Sequence, residues 1–235
     1  MFGGDKVKNI AAALAEIRRR IERAAAKAGR DPASIQLVAV TKNVEIPLIE
    51  EACAQGLTDL GENRVQELVK KYEVLGDVVR WHLIGHLQTN KVKYIVDKVA
   101  LVHSLDRMSL AKEINKRAGS VGRKLPVLVQ VNVAEEESKF GLKVEEVLPF
   151  IREVKDMEWI SIQGLMTMAP LVDDLEKVRP VFRSLKELQE EISSHDLPGV
   201  EMRYLSMGMT NDFEVAIEEG ANIIRIGTAI FGSRD

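Results

Sequence analysis

A (β/α)8 barrel of the TIM type is the fold class this sequence predicts, and three observations predict it. Short apolar segments alternate with amphipathic ones along the chain, the rhythm of right-handed βαβ units. Eight strand candidates can be counted, and that number favours a closed barrel over an open doubly wound sheet. "PVLVQVNV" and "NIIRIG" are β-branched and apolar on both faces, as parallel strands covered on both sides must be.

The elements follow in order. A first helix is expected over 5–28, where Ile10, Leu14, Ile17, Ile21 and Ala25 recur at spacings of three and four. Gly29 stops it and Asp31-Pro32 turns the chain. Strand 36–41 precedes helix 46–55, strand 58–61 precedes helix 62–75, and strand 81–85 precedes helix 88–97. Strands 100–104, 126–133 and 160–166 precede helices 107–118, 143–155 and about 175–194. Strand 203–207 leads to helix 211–219, and strand 223–227 ends the series without a long helix after it. The opening helix is expected to take that missing place in the outer ring. No Pro/Gly/Ser-rich linker interrupts the pattern, so residues 1–235 read as a single domain.

Composition narrows the function classes. The 235 residues are 46% hydrophobic and 29% charged, enough apolar mass for a substantial core. A net charge of −3 and a pI near 5.9 give no bulk attraction to nucleic acid or an anionic membrane. Cys53 is the lone cysteine, so no intrachain disulfide forms and a reducing cytoplasm is the expected location. In "LIEEACAQG" it sits at helical spacing from Ile49 and reads as a small core residue. "MFGGDKVKNI" lacks the apolar centre of a signal peptide, and no run approaches the roughly 20 apolar residues of a membrane span.

In such barrels chemistry belongs to the C-terminal ends of the strands and the loops beyond them. Lys42 stands there after the first strand; by itself it reads as a solvated strand-end charge. "SMGMTND" and "IGTAIFG", on the neighbouring seventh and eighth strands, have the make-up of a phosphate cradle. Ser206 and Thr210 offer hydroxyls, Gly208 and Gly227 let backbone amides approach an anion, and a helix starting near Asn211 adds its dipole. Arg225 alternates with Ile224 and Ile226, so it points into the barrel or toward its mouth and needs an anionic or acceptor partner from ligand or protein. Asn63 in "GENRVQE" reads either as a helix cap or as a ligand donor at the mouth. His82 and His86 in "WHLIGH" do not make a metal site, because His82 lies in a strand and Gly85 breaks the geometry. His82 is expected to hydrogen-bond inside the barrel; His103 and His195 give no signal. Lys139, in the charged loop "EEESKFG", reads as solvated or as a guide for an anion. A lysine opposite a phosphate cradle points to an aldehyde-bearing phosphorylated cofactor, pyridoxal 5′-phosphate (PLP), since partial burial favours the neutral amine that forms Schiff bases.

"LVAVTK", "GENRVQE", "WHLIGHLQTNK", "SKFG", "GLMTMAP" and "LSMGMTNDFEVAIEEGANIIRIGTAIFG" resemble, in order and spacing, the pyridoxal phosphate homeostasis proteins. These are single-domain barrels similar to the N-terminal domain of alanine racemase, and the resemblance runs from about residue 10 to the end. It implies that Lys42 carries PLP as a Schiff base and that Ser206, Gly227 and Thr228 belong to the phosphate-binding segments. It further implies that Arg225 faces the pyridine nitrogen and that Asn63, His82 and Met166 line the cofactor. Thr41 and Thr210 stand where serine would serve as well, and both keep the hydroxyl.

Whether such a site catalyses is a separate question. A carboxylate at the pyridine nitrogen keeps that nitrogen protonated and makes the ring an electron sink; an arginine cannot accept that proton. Racemases of related fold also use arginine, but they need a second base across the cofactor, brought as tyrosine with a second domain. Tyr72 and Tyr94 fall in expected outer helices and Tyr204 early in a strand, and none is an evident partner for Lys42. The expectation is a PLP carrier in vitamin B6 homeostasis without robust activity, a monomer meeting PLP-dependent enzymes transiently. A small PLP-dependent amino-acid racemase is the alternative. A barrel enzyme acting on a sugar phosphate through the same lysine is a third reading.

Overall fold

The computed structural model describes residues 9–136 and 140–232. Helix α1 (Ile10–Lys27) precedes strand β1 (Gln36–Val40), and α2 (Ile46–Ala54) leads to β2 (Asp59–Glu62). Next come α3 (Val65–Leu75), β3 (Arg80–Leu83), a 3-10 segment over Thr89–Tyr94 and β4 (Val99–Leu105). Then follow α4 (Met108–Ser120), β5 (Leu125–Gln130), α5 (Val144–Val154) and β6 (Ile160–Met166). The chain ends through α6 (Arg179–Ser194), β7 (Val200–Ser206), α7 (Phe213–Glu218), β8 (Ile223–Ile226) and the single turn α8 (Thr228–Phe231). The eight strands form a closed parallel barrel in chain order. β8 closes onto β1 with Val38 beside Arg225 and Ala39 beside Ile226. The chain is therefore a (β/α)8 barrel, as the alternation predicts.

Period two divides the strand residues between two apolar regions. Val38, Leu101, Leu128, Met166 and Ile223 point inward and form a small cluster inside the barrel. The larger core lies between the strands and the helical ring, from Leu14 and Ile17 of α1 round to Ile217 of α7. α1 does fill the outer ring: its apolar stripe packs against α2, α7 and α8. Asn9 caps it through the Ala12 amide, and Arg20–Glu214 and Lys27–Glu218 ion pairs, both at 2.7 Å, pin it to α7.

Three boundaries differ from expectation for physical reasons. The segment after β3 is 3-10 rather than α-helical; Val92 is the one residue it buries, with Ile95 and Val96 just beyond it, a pattern too short to sustain a longer helix. β7 begins at Val200 because its first half alternates exposed and half-buried residues at the barrel's open N-terminal end, which hides it from an apolar-run search. β2 runs on through Glu62, so α3 starts only at Val65. The beginning of the expected first helix, residues 5–8, lies outside the described residues. Among the described residues no helix is long and apolar enough to cross a membrane.

One glycine is required by strand packing. Gly164 has φ +149°, and a Cβ there would lie 1.9 Å from the Tyr204 carbonyl oxygen on β7. Gly164→Ala is expected to prise β6 from β7 and lower stability by on the order of 3 kcal/mol, read from the urea midpoint.

Candidate functional site

A cavity of about 890 Å³ opens at the C-terminal ends of the strands. Its polar lining brings together Lys42, Asn63, Arg64, Thr210, Arg225 and Thr228, with Gly227 among them. Ile84, Met168, Pro170, Leu171 and Met209 make an apolar rim, Leu171 standing almost fully exposed. His86 and Phe140 stack across that rim with centroids 3.9 Å apart, and the Gln130 amide donates to the Phe140 carbonyl at 3.2 Å. Two smaller cavities, of about 680 and 600 Å³, hold neither this lysine nor these loops.

Lys42 owes its place to the backbone on either side of it. Val38, Val40 and Lys42 share the inward parity of β1, and β1 ends as Thr41 N–H donates to the Gly61 carbonyl at 3.0 Å. From α3, the buried Lys71 ammonium donates to the Thr41 carbonyl at 2.6 Å. Glu67 of the same helix accepts from the Asn43 amide at 2.6 Å, with Asn43 held at φ 55°. The peptides before and after Lys42 are thus both gripped by α3. The side chain itself is half-buried and has no hydrogen bond or ion pair with other described residues.

The grip rests on a buried charge pair. Lys71 donates to Glu62 at 2.7 Å, and Thr41 Oγ1 donates to the same carboxylate oxygen at 2.6 Å. Glu62 is fully buried, and its second oxygen has no partner among the described residues. Burial raises the Glu62 pKa, opposed but not cancelled by Lys71 and Thr41.

The seventh and eighth loops meet, since Thr228 Oγ1 donates to Thr210 Oγ1 at 3.2 Å. They lie beside Lys42 rather than opposite it, because β8 is the strand that pairs with β1. Gly208 is not on the cavity wall. Its φ of +93° and a Cβ position 2.6 Å from Ala216 Cβ show a residue chosen for close packing against α7. The helix expected near Asn211 begins at Phe213, and Asp212 before it turns back to accept from the Met209 amide at 2.5 Å. Burial raises the Asp212 pKa, against the pull of that amide and of Arg225.

Ser206, His82 and Met166 are buried beneath the cavity, not along its wall. Ser206 Oγ accepts from Arg225 at 2.6 Å and meets His103 Nδ1 at 2.8 Å. A second Arg225 nitrogen donates to the Thr167 carbonyl at 2.9 Å, so the acceptors it requires come from the protein. Burial brings the Arg225 pKa down to about 10, with Asp212 opposing. His82 hydrogen-bonds inside the barrel as expected, to Asp59 and His103, both at 2.9 Å.

Asn63 lines the cavity and does not cap α3, whose first turn follows Arg64 without a side-chain cap. Gly85 makes room for it: a Cβ there would come 2.3 Å from the Asn63 carbonyl oxygen. Lys139 lies outside the described residues. No group of metal-ligating side chains is present among the described residues.

Sequence reasoning missed Asp59, His103, Asp212 and the Glu62–Lys71 pair. His103 alternates with Leu101 and Leu105 in "LVHSL", the same signal that marked Arg225.

The family model described as the alanine racemase N-terminal domain matches residues 13–235. A pyridoxal phosphate homeostasis protein of Aquifex aeolicus is 46% identical over 222 residues, covering 94% of this chain and 96% of its own. PipY of Synechococcus elongatus, solved with PLP bound, superposes with a TM-score of 0.83 at 33% identity, over 95% of this chain and 100% of that one. An alanine racemase of Clostridium difficile shares the fold, with a TM-score of 0.69 at 17% identity; this chain covers 56% of its length.

The grip on Lys42 is open to test. Lys71→Met strands the Glu62 charge and is expected to cost on the order of 3–5 kcal/mol, most of it recovered in Lys71→Met/Glu62→Leu. Urea denaturation of the single and double variants measures both.

Proposed function

The chain belongs to the pyridoxal phosphate homeostasis proteins, built on the alanine racemase N-terminal domain, and on that premise we propose that it holds PLP as a Schiff base on Lys42 and buffers or delivers it. One observation carries the reading. A half-buried lysine without a partner among the described residues shares a cavity with Arg225 and with the joined Thr210 and Thr228 hydroxyls. PipY, which binds PLP, has this fold at 33% identity.

The donor set fits the cofactor. PLP supplies an aldehyde, a pyridine ring and a phosphate. Lys42 provides the amine for the first, and α3 fixes the backbone from which it reaches. Thr210, Thr228 and the Gly227 backbone provide donors for the phosphate. Arg225, whose Cα lies level with that of Val38, sits four residues below Lys42, roughly 13 Å along the strand direction. Two long side chains directed at one cavity span that interval, which leaves the ring between them. Arg225 remains a donor at neutral pH, so it would leave a pyridine nitrogen facing it unprotonated. Ser206 contributes indirectly, by holding Arg225, and Gly208 by shaping the loop. His82 and Met166 support the floor from below.

The same geometry favours a carrier over a catalyst. Tyr72, Tyr94 and Tyr204 are all absent from the cavity lining. His86, stacked on Phe140, and Asp212 are both on the wall, and a racemase reading would have to draw its second base from such groups. We assign His86 to the rim, where the stack narrows the mouth. The carrier acts in the cytoplasm as a monomer and meets PLP-dependent enzymes transiently at that mouth.

Purified protein given PLP is expected to show the visible absorbance band of the lysine-bound cofactor, and Lys42→Ala to lose it. A colourless wild-type protein would return the sugar-phosphate reading. Alanine racemisation well above that of free PLP would replace the carrier with an enzyme.

A further inference from the structure

The barrel interior holds an unbroken polar column from the site to the opposite face. Arg225 donates to Ser206 at 2.6 Å, Ser206 meets His103 at 2.8 Å, His103 meets His82 at 2.9 Å, and His82 meets Asp59 at 2.9 Å. All five residues are buried. They come from five strand positions on β2, β3, β4, β7 and β8, and every inward step is a hydrogen bond of ordinary length. At the far end Asp59 also accepts from Arg80 at 2.8 and 2.7 Å, from Gln36 at 2.7 Å and from Thr58 at 2.8 Å. It borders a cavity on the N-terminal face that the PLP reading does not use.

The two ends of the column fix its direction. A guanidinium can only donate, and an ionised carboxylate can only accept. Burial pushes the Asp59 carboxyl up, but the donors His82, Arg80 and Thr58 outweigh it and hold the group well below the usual carboxylate range. Burial above all drives His103 well below an ordinary histidine, so it carries one ring proton. The Ser206 hydroxyl proton has one acceptor among the described residues, His103 Nδ1, because Arg225 can only donate, and this fixes a single arrangement of all four bonds. His82 donates from Nε2 to Asp59, His103 donates from Nε2 to His82 Nδ1, and the Ser206 hydroxyl donates to His103 Nδ1. Ser206 is then left with its lone pairs toward Arg225.

We propose that Asp59, on the face away from the cavity, is a positioning residue for Arg225: as the terminal acceptor it holds both histidines in the Nε2–H tautomer, which turns the Ser206 hydroxyl proton onto His103 and its lone pairs toward the guanidinium. The column orients and does not conduct, because Arg225 keeps its proton up to about pH 10 and Asp59 refuses one at neutral pH. Its effect on the cofactor rests on the PLP reading above; the tautomers themselves do not.

The test is long-range ¹⁵N NMR of the full chain labelled in histidine, with resonances assigned through His82→Gln and His103→Gln. At neutral pH both rings are expected as the Nε2–H tautomer. A wild-type His103 carrying its proton on Nδ1 overturns the proposal, whether or not any variant folds. Asp59→Ala removes the terminal acceptor, and a His103 Nδ1–H population is expected to appear, with PLP affinity falling about threefold or more and the absorbance band shifting. Arg80→Met, which strips Asp59 of its exposed partner only, is expected to change neither. Altered tautomers in Asp59→Ala with unchanged affinity and spectrum, or equal losses in Arg80→Met, refute it. If wild-type protein takes up no PLP, the carrier reading fails while the tautomers still judge the column.

Discussion

A guanidinium in the middle of a closed barrel must be given acceptors, because an unpartnered buried charge is too costly to keep. Arg225 is 4% exposed, and that constraint organises the interior around it. The Thr167 carbonyl and the Ser206 hydroxyl answer it directly. Ser206 then needs an acceptor of its own, and His103, His82 and Asp59 carry the demand to the other face. What would otherwise be an apolar barrel interior is divided into a polar column and a small cluster of Val38, Leu101, Leu128, Met166 and Ile223. The arginine therefore dictates the identity of residues far from the mouth.

A second buried charge organises the layer outside the strands. Lys71 reaches from α3 to the Thr41 carbonyl, and its pairing with Glu62 keeps it there. Partner loss at such a site leaves a bare charge, which is why a pair of this kind fixes geometry more firmly than it adds stability. The lysine that faces the cavity and the lysine that holds its backbone have opposite circumstances. Lys71 is saturated with acceptors, whereas Lys42 has none among the described residues. An amine kept unpaired at the end of a rigid strand is the one available to an incoming aldehyde.

Much of this was legible in the sequence. Alternation of type and the strand count lead to the barrel, strand-end position places Lys42 at its mouth, and alternation with Ile224 and Ile226 points Arg225 inward. The loops at 206–210 and 225–228 have the composition of an anion site, and the structure brings Thr210 and Thr228 of these loops together. What escaped depends on which side chains meet after closure. Ser206 reads as a phosphate donor because serine beside glycine has that look, yet its hydroxyl is engaged by Arg225 and His103. Gly208 reads as ligand-facing, yet contact with Ala216 explains it. Alternation in "LVHSL" turns His103 inward, but its role depends on partners 21 and 103 residues away that no local motif names.

The central claim is that Lys42, and no other lysine, takes the cofactor covalently. Borohydride reduction of the PLP-loaded protein followed by peptide mass spectrometry tests this most directly. The account requires a single pyridoxyl adduct on Lys42, stoichiometric with bound cofactor. An adduct placed instead on Lys71, Lys91 or another lysine, or a loaded protein that yields none, would contradict it.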